Sequence, residues 1–290
     1  MNHASDTATA TGLATTATTA ATTAASRGET WLAALTAGAA RQRGYPPSVQ
    51  VADAELAGAP ARFIAVVPDP ASGYPRARHG EVGLLEGWSL ARAVREVIEA
   101  DRTAQVKRPI VAVVDTPSQA YGRREEAFGI HQSLASAADA YATARLLGHP
   151  VIALLVGKAM SGAFLAHGYQ ANRLLALSDP GVQVHAMGKE AAARITQRSV
   201  EALEAFAATV PPMAYDIDNY ASLGLLWKTI GVTQATAPGA QDLAAVREAL
   251  AAALRDIAAD PRRDLRGRLG GENRQASSQV RACLASQWHG

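Results

Sequence analysis

The chain has 290 residues, 48% of them hydrophobic and 19% charged, which is enough apolar material to bury the core of one large or two ordinary domains. Its 28 Lys and Arg nearly balance 26 Asp and Glu, so it lacks the basic excess of a chain that tracks nucleic-acid backbone. Cys283 is the single cysteine, which excludes an internal disulfide and a Cys-based metal site; with no apolar run of about 18 residues, the composition reads as cytoplasmic, with no membrane contact.

Between Thr7 and Ala24 every residue is Ala or Thr except Gly12 and Leu13. Such a segment has no large side chains to bury and cannot offset the entropy of ordering, so residues 1–27 read as a disordered leader. It lacks the basic start and apolar centre of a secretory signal and the arginines of a transit peptide. A short helix is expected over Trp31 to Gln42, broken at Tyr45-Pro46-Pro47. Val49 to Val51 and Arg62 to Val67 read as paired strands. Asp69 to Gly87, with four glycines, Arg76, Arg78 and His79, reads as a long basic loop suited to an acidic partner or simply solvated.

Trp88 to Asp101 places Leu90, Val94, Val97 and Ile98 on one helical face. Pro109 to Asp115 and Pro150 to Val156 are near-continuous apolar runs of strand length, separated by a helix over Glu125 to Leu147. A third helix is expected over Ala163 to Ala171, followed by strands at Arg173 to Leu177 and Val182 to Ala186. Buried strands alternating with helices imply parallel pairing and the α/β class. Beyond Gly188 the pattern is helical over Lys189 to Ile195, Val200 to Thr209, Tyr220 to Trp227 and Asp242 to Ala259. Residues 28–260 then form the main domain with its helical extension. Residues 261–290, with Arg262, Arg263, Arg266 and Arg268, form a polar, partly basic tail, either mobile or a contact arm.

Two segments carry the candidate chemistry. In Val156-Gly-Lys-Ala-Met-Ser-Gly-Ala-Phe-Leu-Ala-His-Gly168 a buried strand enters a small-residue turn that opens a helix. The amides of Gly162 and Ala163 lack intrahelical partners there and can serve a negative oxygen, with Ser161 as a polar neighbour. A turn that merely packs fits the same spacing. In Asp115-Thr-Pro-Ser-Gln-Ala-Tyr-Gly122 a loop leaves the carboxyl end of a strand, where open α/β sheets place ligands. Ser118, Gln119 and Tyr121 offer hydrogen bonds, whereas Asp115 reads better as a turn cap than as a base. His79, His131, His149, His167 and His185 form no convincing metal cluster.

Four ordered stretches resemble one family: Glu86-Gly-Trp-Ser-Leu-Ala, Pro109 to Pro117, the Glu125-Glu126 pair and Pro150 to Gly168. They look like the carboxyltransferase subunits of acetyl-CoA carboxylase, and over about residues 80 to 230 like the gamma subunits of biotin-independent malonate decarboxylase. The resemblance implies a crotonase/ClpP-like superhelix of repeated strand-strand-helix units and an active site shared with a related beta subunit. It implies decarboxylation of a malonyl thioester on an acyl carrier protein to acetyl thioester and carbon dioxide, with an acyl-carrier transferase as a further subunit. No covalently bound cofactor is implied; a CoA-like prosthetic arm arrives on the carrier. Carried onto this chain, the site comprises Gly162, Ala163 and Ser161 for catalysis, with Tyr121, Gly122, Gln119 and Gly157 for substrate binding and no metal ligand.

The chain departs from the carboxyltransferase GGSGG pattern, which here is Ala159-Met160-Ser161-Gly162-Ala163. The hole is therefore expected to hold the leaving carboxylate, complete the acyl pocket, or leave the principal hole to the partner. One alternative is a non-catalytic subunit that supports its partner and binds the carrier. Another is a Clp-like serine hydrolase using Ser161 and His185, although the residue which that family places between its serine and the following glycine is missing here.

Overall fold

The computed structural model describes residues 25–288, so the Ala/Thr-rich leader lies almost wholly outside the described residues. Helix α1 (Arg27–Leu35) begins where Ser26 accepts a hydrogen bond from the Glu29 amide, an N-cap that satisfies one orphan donor. It buries Trp31, Leu32 and Leu35, and the Trp31 indole N–H donates to Ala235 O at 2.8 Å. Helix α1 is shorter than the expected span because Ala37 and Gly38 take positive φ values of 49° and 71°, which the right-handed helix cannot use.

Strands β1 (Val49–Leu56) and β2 (Ala59–Val66) form an antiparallel hairpin across Ala57 and Gly58. β2 then pairs in parallel with β3 (Ile110–Thr116), and β3 with β4 (Val151–Met160). The last strand is shared: Ile152 to Leu155 pair with β5 (Arg173–Ser178), whereas Lys158 to Met160 pair with β6 (Gln183–His185). A short β7 (Lys228–Gly231), absent from the sequence expectations, extends the sheet beyond β5. The sheet is therefore parallel except at its β1 edge. β3 and most of β4 are buried, which is why both read as unbroken apolar runs.

Helices α2 (Leu84–Ala100), α3 (Arg123–Ala127) and α4 (Ile130–Leu146) occupy the crossovers. α2 starts four residues before the expected Trp88 because the buried Glu86 carboxylate accepts the Gly83 amide at 3.0 Å and the Ser48 hydroxyl at 2.6 Å, a cap of the N3-to-N-cap type. The expected helix from Glu125 to Leu147 is split into α3 and α4 at Gly129, whose φ is 82°. α2 and α4 touch where a Cβ on Gly87 would lie 2.8 Å from the Ser133 carbonyl carbon, so only glycine permits that approach.

Helix α5 (Ser161–Ala166) begins at Ser161 and stops five residues before the expected Ala171. Helices α6 (Lys189–Ile195), α7 (Val200–Ala207) and α8 (Ile217–Ser222) follow. The helix expected over Tyr220 to Trp227 is realised only as α8, since Gly224 has φ 72° and the Trp227 amide joins the sheet through Leu174 O. Helix α9 (Ala240–Ala259) covers the sheet with Val246, Leu250 and Ala253.

The segment after Pro261 returns to the fold. Arg268 is buried and donates to the carbonyls of Tyr169 and Ala171, while a Cβ on Gly224 would lie 2.8 Å from the Gly270 carbonyl carbon. Helix α10 (Gln275–Gln287) then stands outside the core with no buried residue. No helix among the described residues is long and apolar enough to cross a membrane.

Candidate functional site

The two candidate segments meet at the carboxyl ends of β3 and β4. The β3 loop is fixed from the side by a bridge to the approach to α2, in which the Val82 amide donates to Ser118 O at 3.0 Å and the Ala120 amide to Val82 O at 2.9 Å. Gln119 therefore projects from a backbone held on both sides. Its side-chain oxygen accepts the Gly162 amide at 2.9 Å, which makes Gln119 a cap on α5 from 43 residues away. Periodicity has no access to such a contact.

Asp115 caps, as its position suggested. Its carboxylate accepts the Gly28 amide at 3.2 Å and the Lys158 amide at 3.1 Å, tying α1 to the two central strands. Gly157, expected among the substrate-binding residues, is what admits that carboxylate: a Cβ there would lie 2.5 Å from Asp115 Cγ. Gly122 is similarly enclosed, with a would-be Cβ 2.5 Å from Arg76 Nε and the Arg76–Glu125 pair at 3.9 Å across it. Tyr121 is 61% exposed on the β3 loop. The basic loop is largely engaged by its own chain, since Arg78 donates to Ser72 O and His79 lies 3.6 Å from Glu81.

Ser161 turns the chain from β4 into α5 with φ 56°, a left-handed conformation unusual for a residue with a side chain. Its hydroxyl donates to Ala186 O at 2.8 Å. Ala163 is fully buried directly behind Gly162. Ser161 and Gly162 line a cavity of about 380 Å³ between α5 and the stretch around α8, walled by Phe164, Tyr169, Val184, Tyr220 and Leu225. These walls were not foreseen, because they come from three separate stretches that only the fold assembles. A larger cavity of about 460 Å³ lies by the β1–β2 turn and holds none of the candidate residues.

His185 also lines the cavity and stacks on Tyr215, with ring centroids 4.0 Å apart. Its Nδ1 lies 2.9 Å from Met187 O and 3.1 Å from the Met187 amide, so Met187 engages it in either tautomer. Burial lowers the His185 pKa from the ordinary imidazole value. The Ser161 hydroxyl bonds a carbonyl, and no Ser161–His185 hydrogen bond is formed among the described residues. A nucleophile needs its base within reach, so this geometry does not support the serine hydrolase alternative. No group of three potential metal-ligating side chains occurs among the described residues.

Comparison with known proteins adds to this geometry. The sequence pattern of the family described as malonate decarboxylase gamma subunit matches residues 77–288. A chain of a Pseudomonas malonate decarboxylase hetero-tetramer, solved in complex with coenzyme A, is 67% identical, aligns over 91% of this chain and 100% of that chain, and superposes with a TM-score of 0.87. A chain of the Pseudomonas malonate decarboxylase MdcD–MdcE hetero-dimer is 64% identical over 91% of this chain and 99% of that one, with a TM-score of 0.85. The malonyl-S-ACP:biotin-protein carboxyltransferase of Malonomonas rubra is 41% identical over 154 residues, 52% of this chain. This chain spans about half the length of that curated relative, at 53%. Transcarboxylase 12S, at 21% identity over 78% of this chain and 41% of that one with a TM-score of 0.59, shares the fold, which is the crotonase-type architecture of the carboxyltransferases.

Proposed function

The chain belongs to the malonate decarboxylase gamma-subunit family, and from that premise we propose that it acts with a related beta subunit to decarboxylate a malonyl thioester. The observation that carries the reading is the match, over 91% of this chain and 100% of the other, to a chain of a malonate decarboxylase assembly. The substrate in this reading is malonyl on an acyl carrier protein, presented by a CoA-like arm, and an acyl-carrier transferase completes a cytoplasmic complex. The products are acetyl thioester and carbon dioxide.

Loss of carbon dioxide leaves an enolate whose charge resides mainly on the thioester oxygen, and amide donors aimed at that oxygen lower the barrier. Gly162 and Ala163 are the donors this chain offers, with Ser161 beside them and the exposed Tyr121 and enclosed Gly122 on the neighbouring loop. In the free chain Gln119 holds the Gly162 amide. A neutral hydrogen bond of that kind is worth about 1 kcal/mol net, whereas a donor to a developing oxyanion contributes roughly 3 to 4 kcal/mol. The enolate oxygen therefore outcompetes the glutamine, which acts as a placeholder displaced as charge develops on that oxygen.

The Gln119 cap also favours a second reading, in which the principal oxyanion hole belongs to the partner and this chain supports it and binds the carrier. Co-expression with the beta subunit, followed by carbon dioxide release from malonyl carrier protein without biotin, tests the assignment; failure of both association and release overturns it. Gly162→Val separates the two readings. A normal complex with decarboxylation abolished rules out the supporting role, and assembly lost in step with activity favours it.

A further inference from the structure

The cavity beside Ser161 and Gly162 carries more than its position. No lysine or arginine is among the residues that line it. Cations behind its walls are engaged elsewhere: Arg268 lies 5.7 Å from the ring centroid of Tyr169 with its donors on backbone carbonyls, Arg274, whose charge also reaches Tyr220, donates to Arg268 O at 2.7 Å, and Lys189, over the Tyr215 ring that backs His185, pairs with Glu204 at 2.5 Å. The polar groups at the cavity are the Ser161 hydroxyl, engaged by Ala186 O, the Gly162 amide, engaged by Gln119, His185, held by Met187, and the phenols of Tyr169 and Tyr220. Tyr220 is 8% exposed and its buried hydroxyl has no partner. A charge placed here meets apolar walls and at most neutral donors.

We propose that this cavity receives the scissile carboxylate of the malonyl group and holds it without a counter-ion until it departs as carbon dioxide. The inference rests on the malonyl-thioester reading above and names where that substrate's short end lies. The carrier arm must run outward to its protein, which leaves the recess next to Gly162 for the carboxylate end. The bond between the carboxylate carbon and the methylene breaks, and its electron pair moves into the methylene–carbonyl bond and leaves the charge on the thioester oxygen. Neutral carbon dioxide remains in the cavity, and a water molecule supplies the proton that converts enolate to acetyl and leaves its hydroxide to bulk solvent. A cation here would stabilise the starting carboxylate and lose that interaction in the transition state, whereas an apolar wall favours the uncharged product. Burial lowers the His185 pKa from the ordinary imidazole value and so favours the uncharged ring, consistent with that role.

The test uses the complex with its beta subunit and two non-reactive competitors of malonyl carrier protein. Acetoacetyl carrier places an uncharged methyl ketone where the carboxylate would be, and sulfoacetyl carrier places a fixed negative charge. The wild-type complex is expected to bind the acetoacetyl form at least about tenfold more tightly, because only the charged group must be desolvated unpaired. Leu165→Arg, at a position 52% exposed on the cavity rim, is expected to invert that order. It should also lower kcat by at least about tenfold while KM falls or holds. Leu165→Gln is expected to lose far less, and Leu225→Lys on the opposite wall reads the same effect if the first charged variant does not assemble. Tighter binding of the sulfoacetyl form to wild type overturns the proposal. So does an order unchanged by the introduced cation, or an equal loss in the Arg and Gln variants. A wild-type chain that neither assembles with its beta subunit nor releases carbon dioxide from malonyl carrier removes the functional reading itself, and the inference with it; a complex that assembles yet releases none removes the inference alone.

Discussion

Gly157→Ala should cost this protein about 3 kcal/mol through one side chain 42 positions away. Gly157 does not occupy the left-handed region, so alanine brings no backbone strain; the whole effect is the Cβ lying 2.5 Å from Asp115 Cγ. The carboxylate must leave, and with it go the hydrogen bonds from the Gly28 and Lys158 amides at 3.2 and 3.1 Å. Hydrogen bonds to a charged group contribute roughly 1.5 to 3 kcal/mol each. Asp115 is half-buried and regains water when expelled, which puts the sum near the lower bound. Asp115→Ala removes the same bonds without a clash and should cost a similar amount. The double substitution should then cost little more than either single one, a coupling of about 3 kcal/mol. Urea unfolding of the four proteins measures the cycle. If Gly157→Ala costs under about 1 kcal/mol, or if the two substitutions add, then Gly157 is not there for Asp115 and its role in substrate binding reopens.

The buried His167 provides a pH-dependent counterpart. Its Nε2 lies 3.1 Å from Val113 O and its Nδ1 3.1 Å from the Tyr141 hydroxyl, and burial pushes its pKa down from 6.5 to about 4. The folded protein prefers the neutral ring, so the stability it contributes is intact above pH 6.5 and is lost as pH falls from 6.5 to about 4, amounting to ~3 kcal/mol; unfolding curves across that range should lose this slope in His167→Gln. Tyr141→Phe leaves Nδ1 buried without its donor and should cost about 1 to 3 kcal/mol, measured by the same unfolding curves at pH 7. Gly224→Ala combines φ 72° with the approach to Gly270 and should detach the segment after Pro261, seen as protease cleavage between residues 260 and 275 at concentrations that leave the parent chain whole. Gln119→Glu keeps the cap on Gly162 with a stronger acceptor, so stability should hold or rise. Decarboxylation should nevertheless fall by at least about tenfold at neutral pH, because an ionised cap is harder for the enolate to displace; unchanged activity would show that the Gly162 amide takes no part.

Much of this architecture is legible in the residue pattern because it rests on local rules. Ile110 to Val114 and Val151 to Val156 announce strands buried on both faces. The small residues from Gly157 to Ala163 announce a tight strand-to-helix turn. Where expectation and structure differ, single residues with non-helical geometry decide: Ala37 and Gly38 stop α1, Gly129 divides α3 from α4, and Gly224 turns the chain into the sheet. Glu86 shifts the start of α2 because its carboxylate reaches back to Gly83, a cap that a helical periodicity beginning at Trp88 does not register. β7 escapes notice because it pairs over only four residues and one of them, Ile230, is buried.

The candidate site was less legible for a different reason: what a polar group does depends on which partner already satisfies it. Gly162 and Gln119 each suggested hydrogen bonding to substrate, and the fold shows that they bond to each other. Gly157 and Asp115 are likewise mutual neighbours, and Arg76 is drawn to Glu125 across Gly122. Each pairing is more than 40 residues long in sequence and leaves no periodic trace. The same pairings make the carboxyl ends of β3 and β4 rigid before any substrate arrives. A site that must hold an enolate gains from such rigidity only if one internal bond is weak enough to exchange. The Asp115 carboxylate, with two amide donors, is too strongly held to serve as that bond, and the Ser161 hydroxyl is committed by a strained backbone. Gln119, neutral, half-buried and bound to Gly162 through one hydrogen bond, is the group whose displacement costs least and exposes the donor that the proposed reaction would use.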